Sequence, residues 1–132
     1  MTLERSTTSI LVVEDDALPR LDLVETLSEA GYKVLEASNA HQALDYLRDR
    51  RPIDVVITDI DLGAGPTGWD VAEAFWAARS DILIIYVSGF SDDWRRTVPG
   101  SVFFAKPCRT VDILKVCRGL RGAESHRRAT AS

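Results

Sequence analysis

The chain is short of several things, and each shortage removes a class of protein. Its 132 residues hold only two cysteines, Cys108 and Cys117, with no spacing that suggests a framework or a metal knuckle. Both are expected to be reduced thiols, serving as small core or surface residues of a cytoplasmic chain. No apolar run approaches the ~20 residues needed to span a bilayer. The start, Met1 to Ser9, is polar, so no signal peptide is expected. Basic excess is also lacking. Lys and Arg number 16 against 20 Asp and Glu, a net charge of −4 that does not favour direct nucleic-acid binding. There are two histidines: His41 is expected on the outer side of a helix and His126 in the tail, so neither is a candidate phosphoryl carrier. Internal repeats, low-complexity blocks and linkers are missing too. What remains is 45% apolar and 27% charged residues, an ordinary globular balance for one domain.

What is present is organised around residues 54 to 61, Asp54-Val55-Val56-Ile57-Thr58-Asp59-Ile60-Asp61. The β-branched run is too short for a helix and is followed by Gly63, Gly65, Pro66 and Gly68. It reads as a strand buried on both faces, with Asp59 at its carboxyl end. Similar strands are expected over Ser9–Val13, Lys33–Ala37, Ile82–Val87 and Ser101–Ala105. Helical patterns lie between them. The first is capped by Asp16, takes Pro19 in its first turn and is closed by Gly31. Its inward stripes are read as Leu21, Val24 and Leu27, and Leu23, Leu27 and Ala30. The second is capped by Asn39, with Ala40, Ala43, Leu44 and Leu47 on one face. The third starts near Gly68, with Val71, Ala72, Phe75 and Trp76 apolar. A short helix capped by Ser91 is expected over Asp92 to Arg96. The last runs from Thr110 to Leu120, with Ile113, Leu114, Cys117 and Leu120 inward. Strands alternating with helices call for an α/β doubly wound parallel sheet. Residues 1–8 read as an N-terminal tail, 9–121 as the domain and 122–132 as a frayed tail.

In a parallel sheet all strand ends of one kind share an edge. The first strand brings Glu14 and Asp15 there, the third Asp59 and Asp61, the fourth Ser88 and the fifth Lys106. Carboxylates ~4 Å apart repel by about 1–4 kcal/mol per pair, so such a cluster calls for a cation. All-oxygen donors with no His or Cys beside them favour Mg2+ over zinc. Lys106 and Ser88 suit further phosphate oxygens, leaving Asp59 as a nucleophile for phosphoryl transfer.

These residues resemble the receiver domain of response regulators in bacterial two-component systems. The resemblance rests on Ile10-Leu11-Val12-Val13-Glu14-Asp15, Ile57-Thr58-Asp59, Val87-Ser88-Gly89 and Lys106-Pro107, and covers about Ser9 to Leu120. It implies a flavodoxin-like five-stranded sheet of order 2-1-3-4-5. It implies Asp59 as phosphoacceptor, with Mg2+ held by Asp15, Asp59 and the backbone carbonyl of Asp61, and by Glu14 through water. Ser88 and Lys106 would contact the phosphoryl group, and Phe103 would be the switch aromatic. The implied partners are a histidine kinase or phosphotransfer protein and a downstream protein target, with neither nucleic acid nor membrane, in a monomer or homodimer. The implied chemistry is self-phosphorylation and self-dephosphorylation rather than turnover. Three departures stand out. Gly63 replaces the usual proline after Asp59, in a slightly long glycine-rich loop. Only 17 residues, 89 to 105, separate Ser88 from Lys106, which predicts a shortened fourth helix. Asp61 adds a carboxylate beside the site.

Two rivals share residues with this reading. Asp59-Ile60-Asp61 resembles the first motif of haloacid-dehalogenase-like phosphohydrolases, with Asp59 as nucleophile. However, the acids Glu14 and Asp15 precede it, and little chain remains for a cap domain. Gly63-Ala64-Gly65-Pro66-Thr67-Gly68 fits the spacing of a dinucleotide fingerprint, but Asp59 and Asp61 would repel a pyrophosphate. A phosphate sink, or a pseudo-receiver acting by partner binding alone, is the remaining alternative.

Overall fold

The computed structural model describes residues 8–89 and 96–119. Five strands, β1 (Ser9–Val13), β2 (Lys33–Ala37), β3 (Val55–Thr58), β4 (Leu83–Ser88) and β5 (Val102–Ala105), form one sheet of order β2-β1-β3-β4-β5. Every pairing is parallel. Helices α1 (Ala17–Glu29), α2 (Ala40–Arg48), α3 (Gly68–Ala78) and α4 (residues 110–119) connect or flank them. The α/β architecture and strand order are those implied by the resemblance.

The central strands are apolar on both faces because both faces are covered. Leu11, Val13, Val56, Ile84 and Tyr86 pack on one side with Ala40, Ala43, Val71 and Phe75 of α2 and α3. Ile10, Val12, Ile57, Ile85 and Val87 pack on the other with Leu23, Leu27, Ile113 and Cys117 of α1 and α4. Alternate residues of each strand serve opposite cores, as the pleat requires. The sequence therefore shows continuous rather than alternating apolarity.

Capping follows the sequence. The Asp16 side chain accepts the Leu18 N–H, that of Asn39 accepts the Gln42 N–H, and Gly31 stands at φ +99° just past α1. Some boundaries shift. Ile82 and Ser101 are outside their strands, and Ser88 is inside β4. One of the two stripes read for α1 is corrected: Leu21 is 52% exposed, while Leu23 and Leu27 are buried. Residues two apart on a helix diverge by about 200°, so Leu21 and Leu23 cannot both face the sheet. The expected short helix of residues 92–96 lies, apart from Arg96, outside the described residues. So do Leu120, the tail of residues 122–132, and all of the N-terminal tail but Thr8. Among the described residues, no helix is long and apolar enough to cross a membrane.

Candidate functional site

The carboxyl edge of the sheet gathers the acids. At the end of β1, Glu14 donates its N–H to the Ala37 carbonyl at 3.0 Å, which continues the strand pairing by one residue. Its Oε2 accepts the Asp16 N–H at 3.1 Å, so the turn folds back on its own side chain. The Glu14 carbonyl accepts Arg20 Nη1 at 2.8 Å. At the end of β3, Asp59 donates its N–H to the Val13 carbonyl at 3.0 Å, and its Oδ1 accepts the Asp61 N–H at 3.2 Å. Its carbonyl accepts the Thr58 hydroxyl at 2.7 Å. A Cβ on Gly68 would lie 1.9 Å from that carbonyl oxygen, so only glycine lets the start of α3 press against the Asp59 backbone.

Lys106 crosses from the end of β5. Its N–H donates to the Ser88 carbonyl at 2.8 Å, which fixes the side chain's origin beside β4. Its Nζ then reaches Asp59 Oδ2 at 2.9 Å and Glu14 Oε1 at 3.1 Å. Glu14 and Asp59 are buried, and Asp15 is exposed beside them. One oxygen from each of the three lies within 4.8 Å of the others. Burial holds the Glu14 carboxyl above its ordinary value and the charge of Asp59 pushes the same way, against the bonds from Asp16 and Lys106. Burial alone would lower the Lys106 ammonium, but Asp59 and Glu14 outweigh it and hold it above its ordinary value. One cation is thus divided between two carboxylates that repel each other. This three-acid set fits a hard divalent cation: its donors are all oxygen, and its charge exceeds what Lys106 neutralises.

The remaining sequence-derived residues are placed unevenly. Asp61 lies outside the three-acid cluster; its exposed carboxylate accepts the Gly63 N–H at 3.2 Å and shapes its own loop. Ser88 is buried at the end of β4, level with Ala105. Phe103 pairs in register with Tyr86, is 38% exposed, and has its ring 6.2 Å from the Tyr86 ring. Tyr86 in turn lies 5.0 Å from Trp69. Thr67 and Asp70 form a reciprocal capping box at the start of α3. The Gly68 N–H is taken by the Ile60 carbonyl at 2.8 Å. The Gly63, Thr67 and Gly68 amides of the apparent dinucleotide loop are therefore already engaged, which, with the carboxylates of Asp59 and Asp61 beside it, speaks against that reading.

A cavity of about 480 Å3 opens at Glu14, Asp59 and Lys106. It runs between α1 and α4 over Leu23, Ile57 and Ile113. Cys108 lines it, with its thiol pushed up by burial. Arg20 and Gly68 were not singled out as site residues from the sequence. Gly68 had a signal, a glycine immediately after the capping Thr67. Arg20 had none beyond lying one turn past Asp16.

Comparison with known proteins agrees with this geometry. Residues 10–117 match the response regulator receiver domain family. The transcriptional regulatory protein AruR of Pseudomonas aeruginosa is 31% identical over 130 residues, covering 92% of this chain and 52% of AruR. The chain thus spans about half the length of that relative, and 10% of a matched sensor kinase. A receiver protein structure from Sinorhizobium medicae superposes with a TM-score of 0.84 at 31% identity, covering 89% of this chain and 97% of that one. The response regulator TrrA of Thermotoga maritima, solved with Mg2+-BeF, matches with a TM-score of 0.75 at 27% identity, over 86% and 99% of the two chains. The phosphohydrolase reading falls with these matches and with the turning of the Asp61 carboxylate toward its own loop. Sheet order, the acid cluster under Lys106 and the match over residues 10–117 converge, and the chain belongs to the receiver domain family of two-component response regulators.

Proposed function

We propose that Asp59 is the phosphoacceptor of a Mg2+-dependent switch. The observation that carries this is the contact of the Asp59 carboxylate with Lys106 Nζ at 2.9 Å, inside the cluster with Glu14 and Asp15. The donor is a phosphohistidine of a kinase or phosphotransfer protein. The Asp59 oxygen forms a bond to phosphorus as the phosphorus–nitrogen bond breaks, and the histidine nitrogen takes up a proton. Asp15, Asp59 and the Asp61 carbonyl would hold Mg2+, with Glu14 acting through water. The ion would neutralise charge on the phosphoryl oxygens. Lys106 exchanges its contact with Asp59 for a phosphoryl oxygen while keeping Glu14 within reach. The Ser88 hydroxyl donates to another oxygen, and Phe103 leaves its exposed position to follow it. The surface around β5 and α4 then changes shape, a local charge event biasing a two-state element. TrrA supports the ion and the phosphoryl mimic by likeness.

Intact mass after incubation with acetyl phosphate and Mg2+ tests this. One phosphoryl adduct is expected on the wild type, and none on Asp59→Asn or with chelator. Absence of both adduct and phosphate release from the wild type would leave a domain that acts by partner binding alone. Ser88→Ala is expected to shrink the difference in target affinity between phosphorylated and unphosphorylated forms, and an undiminished difference would remove Ser88 from the switch.

A further inference from the structure

We propose that Arg20 is a positioning residue for the acid cluster, clamping the peptide between Glu14 and Asp15 so that both carboxylates are held ready for a divalent cation. This rests on reading that cluster as the phosphoryl-transfer site. Arg20 stands one turn into α1, four residues past the capping Asp16. Helical side chains lean toward the helix N-terminus, so it reaches back over the β1 turn. There Nη1 donates to the Glu14 carbonyl at 2.8 Å and Nε to Glu36 Oε1 at 3.0 Å. The side chain is only 18% exposed, unlike a solvated surface arginine. A guanidinium holds its donors in one rigid plane, so two acceptors bound together fix each other's positions.

The Glu14 carbonyl is half of the planar peptide that joins Glu14 to Asp15. The tilt of that plane sets the relative directions in which the two acidic side chains leave the chain. Other bonds hold neighbouring atoms of the turn: the Glu14 N–H rests on Ala37, and its Oε2 on the Asp16 N–H. Arg20 holds the plane itself and ties it to Glu36 on the adjacent strand β2. Glu36, paired with Nε at 3.0 Å, opposes the guanidinium's charge. The contribution of Arg20 is therefore one of geometry. The sign distinguishes the two possibilities, because a nearby cation acting only through its charge would weaken Mg2+ binding, and its removal would tighten it.

The test is Mg2+ titration by calorimetry on the whole chain, with thermal melts in chelator, for wild type, Arg20→Met and Arg20→Lys. Losing a residue that orients metal ligands typically weakens affinity 10–100-fold, and about tenfold is expected for Arg20→Met. Arg20→Lys, whose ammonium lacks the rigid fork, is expected to fall between the two. The Mg2+ concentration for half-maximal adduct formation should rise in parallel, while the rate at saturating Mg2+ returns to near the wild-type value. Mg2+ affinity equal to or tighter than wild type in either variant overturns the proposal, including a melting midpoint lowered with affinity unchanged. If Arg20→Met does not fold, Arg20→Lys decides by the same criterion. A wild type that binds no Mg2+ overturns the reading of the site itself, and this proposal with it.

Discussion

A cation shared by two carboxylates recurs in this molecule, at Lys106, Arg96 and Arg79, and the first two lie in opposite surroundings. At the strand edge, Lys106 is shared by Glu14 and Asp59, whose side chains are 10% and 9% exposed. On the flank of α3, Arg96 is shared by Glu73 and Asp70, which are 45% and 46% exposed. In the exposed triad, charges and hydrogen bonds act together. The Thr67 N–H, with help from Arg96, holds the Asp70 carboxyl below its ordinary value, and Glu73 and Asp70 hold the Arg96 guanidinium above its own. In the buried triad, desolvation reverses the outcome for one member, and Glu14 is held above its ordinary value despite its partners. An exposed triad fastens two elements together at little cost. A buried one carries the same surplus negative charge away from water, where a further cation can relieve it.

The comparison can be broken most sharply by removing the cations. Lys106→Met leaves two buried carboxylates without a counter-charge, each keeping a backbone N–H. In chelator it is expected to lose about 2 kcal/mol by urea denaturation, reduced from the fully buried case because Lys106 is one-third exposed. Added Mg2+ should narrow that loss. Asp59→Asn works the other way. It removes one surplus charge, and is expected to gain about 1 kcal/mol in chelator, a rise of a few °C in Tm, while forfeiting the Mg2+ increment. A Tm lowered in chelator would show that the acids do not burden one another. Arg96→Met should cost less than about 1 kcal/mol, since its partners are half in water. A loss matching that of Lys106→Met would erase the distinction between the triads.

Smaller effects sharpen it. Raising NaCl to about 0.5 M should abolish most of the Arg96→Met difference and little of the Lys106→Met difference, because exposed pairs are screened and buried ones are not. For Asp70, a depressed folded-state value means that its stabilising contribution is present above the ordinary carboxylate pKa and lost as pH falls through the depressed one. Wild type should therefore exceed Asp70→Asn by a few tenths of a kcal/mol near pH 7, discounted for exposure, and the two should converge as pH falls through the depressed value. A gap that widens on acidification would assign the shift to another group.

Much of the site was legible because strand ends are legible. Glu14, Asp15, Asp59 and Lys106 each follow an apolar run, and parallel order brings those positions to one edge. Asp61 read equally well as a cluster acid, yet its carboxylate serves Gly63. Three residues past the end of β3, loop geometry decides direction, and periodicity carries no information about it. Leu21 read as core because leucines satisfied two stripes at once; only the sheet's position selects between them. Arg20 was invisible because its partners are a backbone carbonyl and a carboxylate on another strand.

The sequence by itself determined the alternation of strands and helices, their caps, and which residues stand at strand ends, since all follow from local periodicity and turn chemistry. Only the tertiary structure decided that Lys106 divides itself between Glu14 and Asp59, that Gly68 presses on the Asp59 backbone, and that Glu14 is held above its ordinary value. Those depend on distances between residues up to 92 positions apart, and on how much water burial removes, quantities fixed by packing rather than by any local stretch of chain.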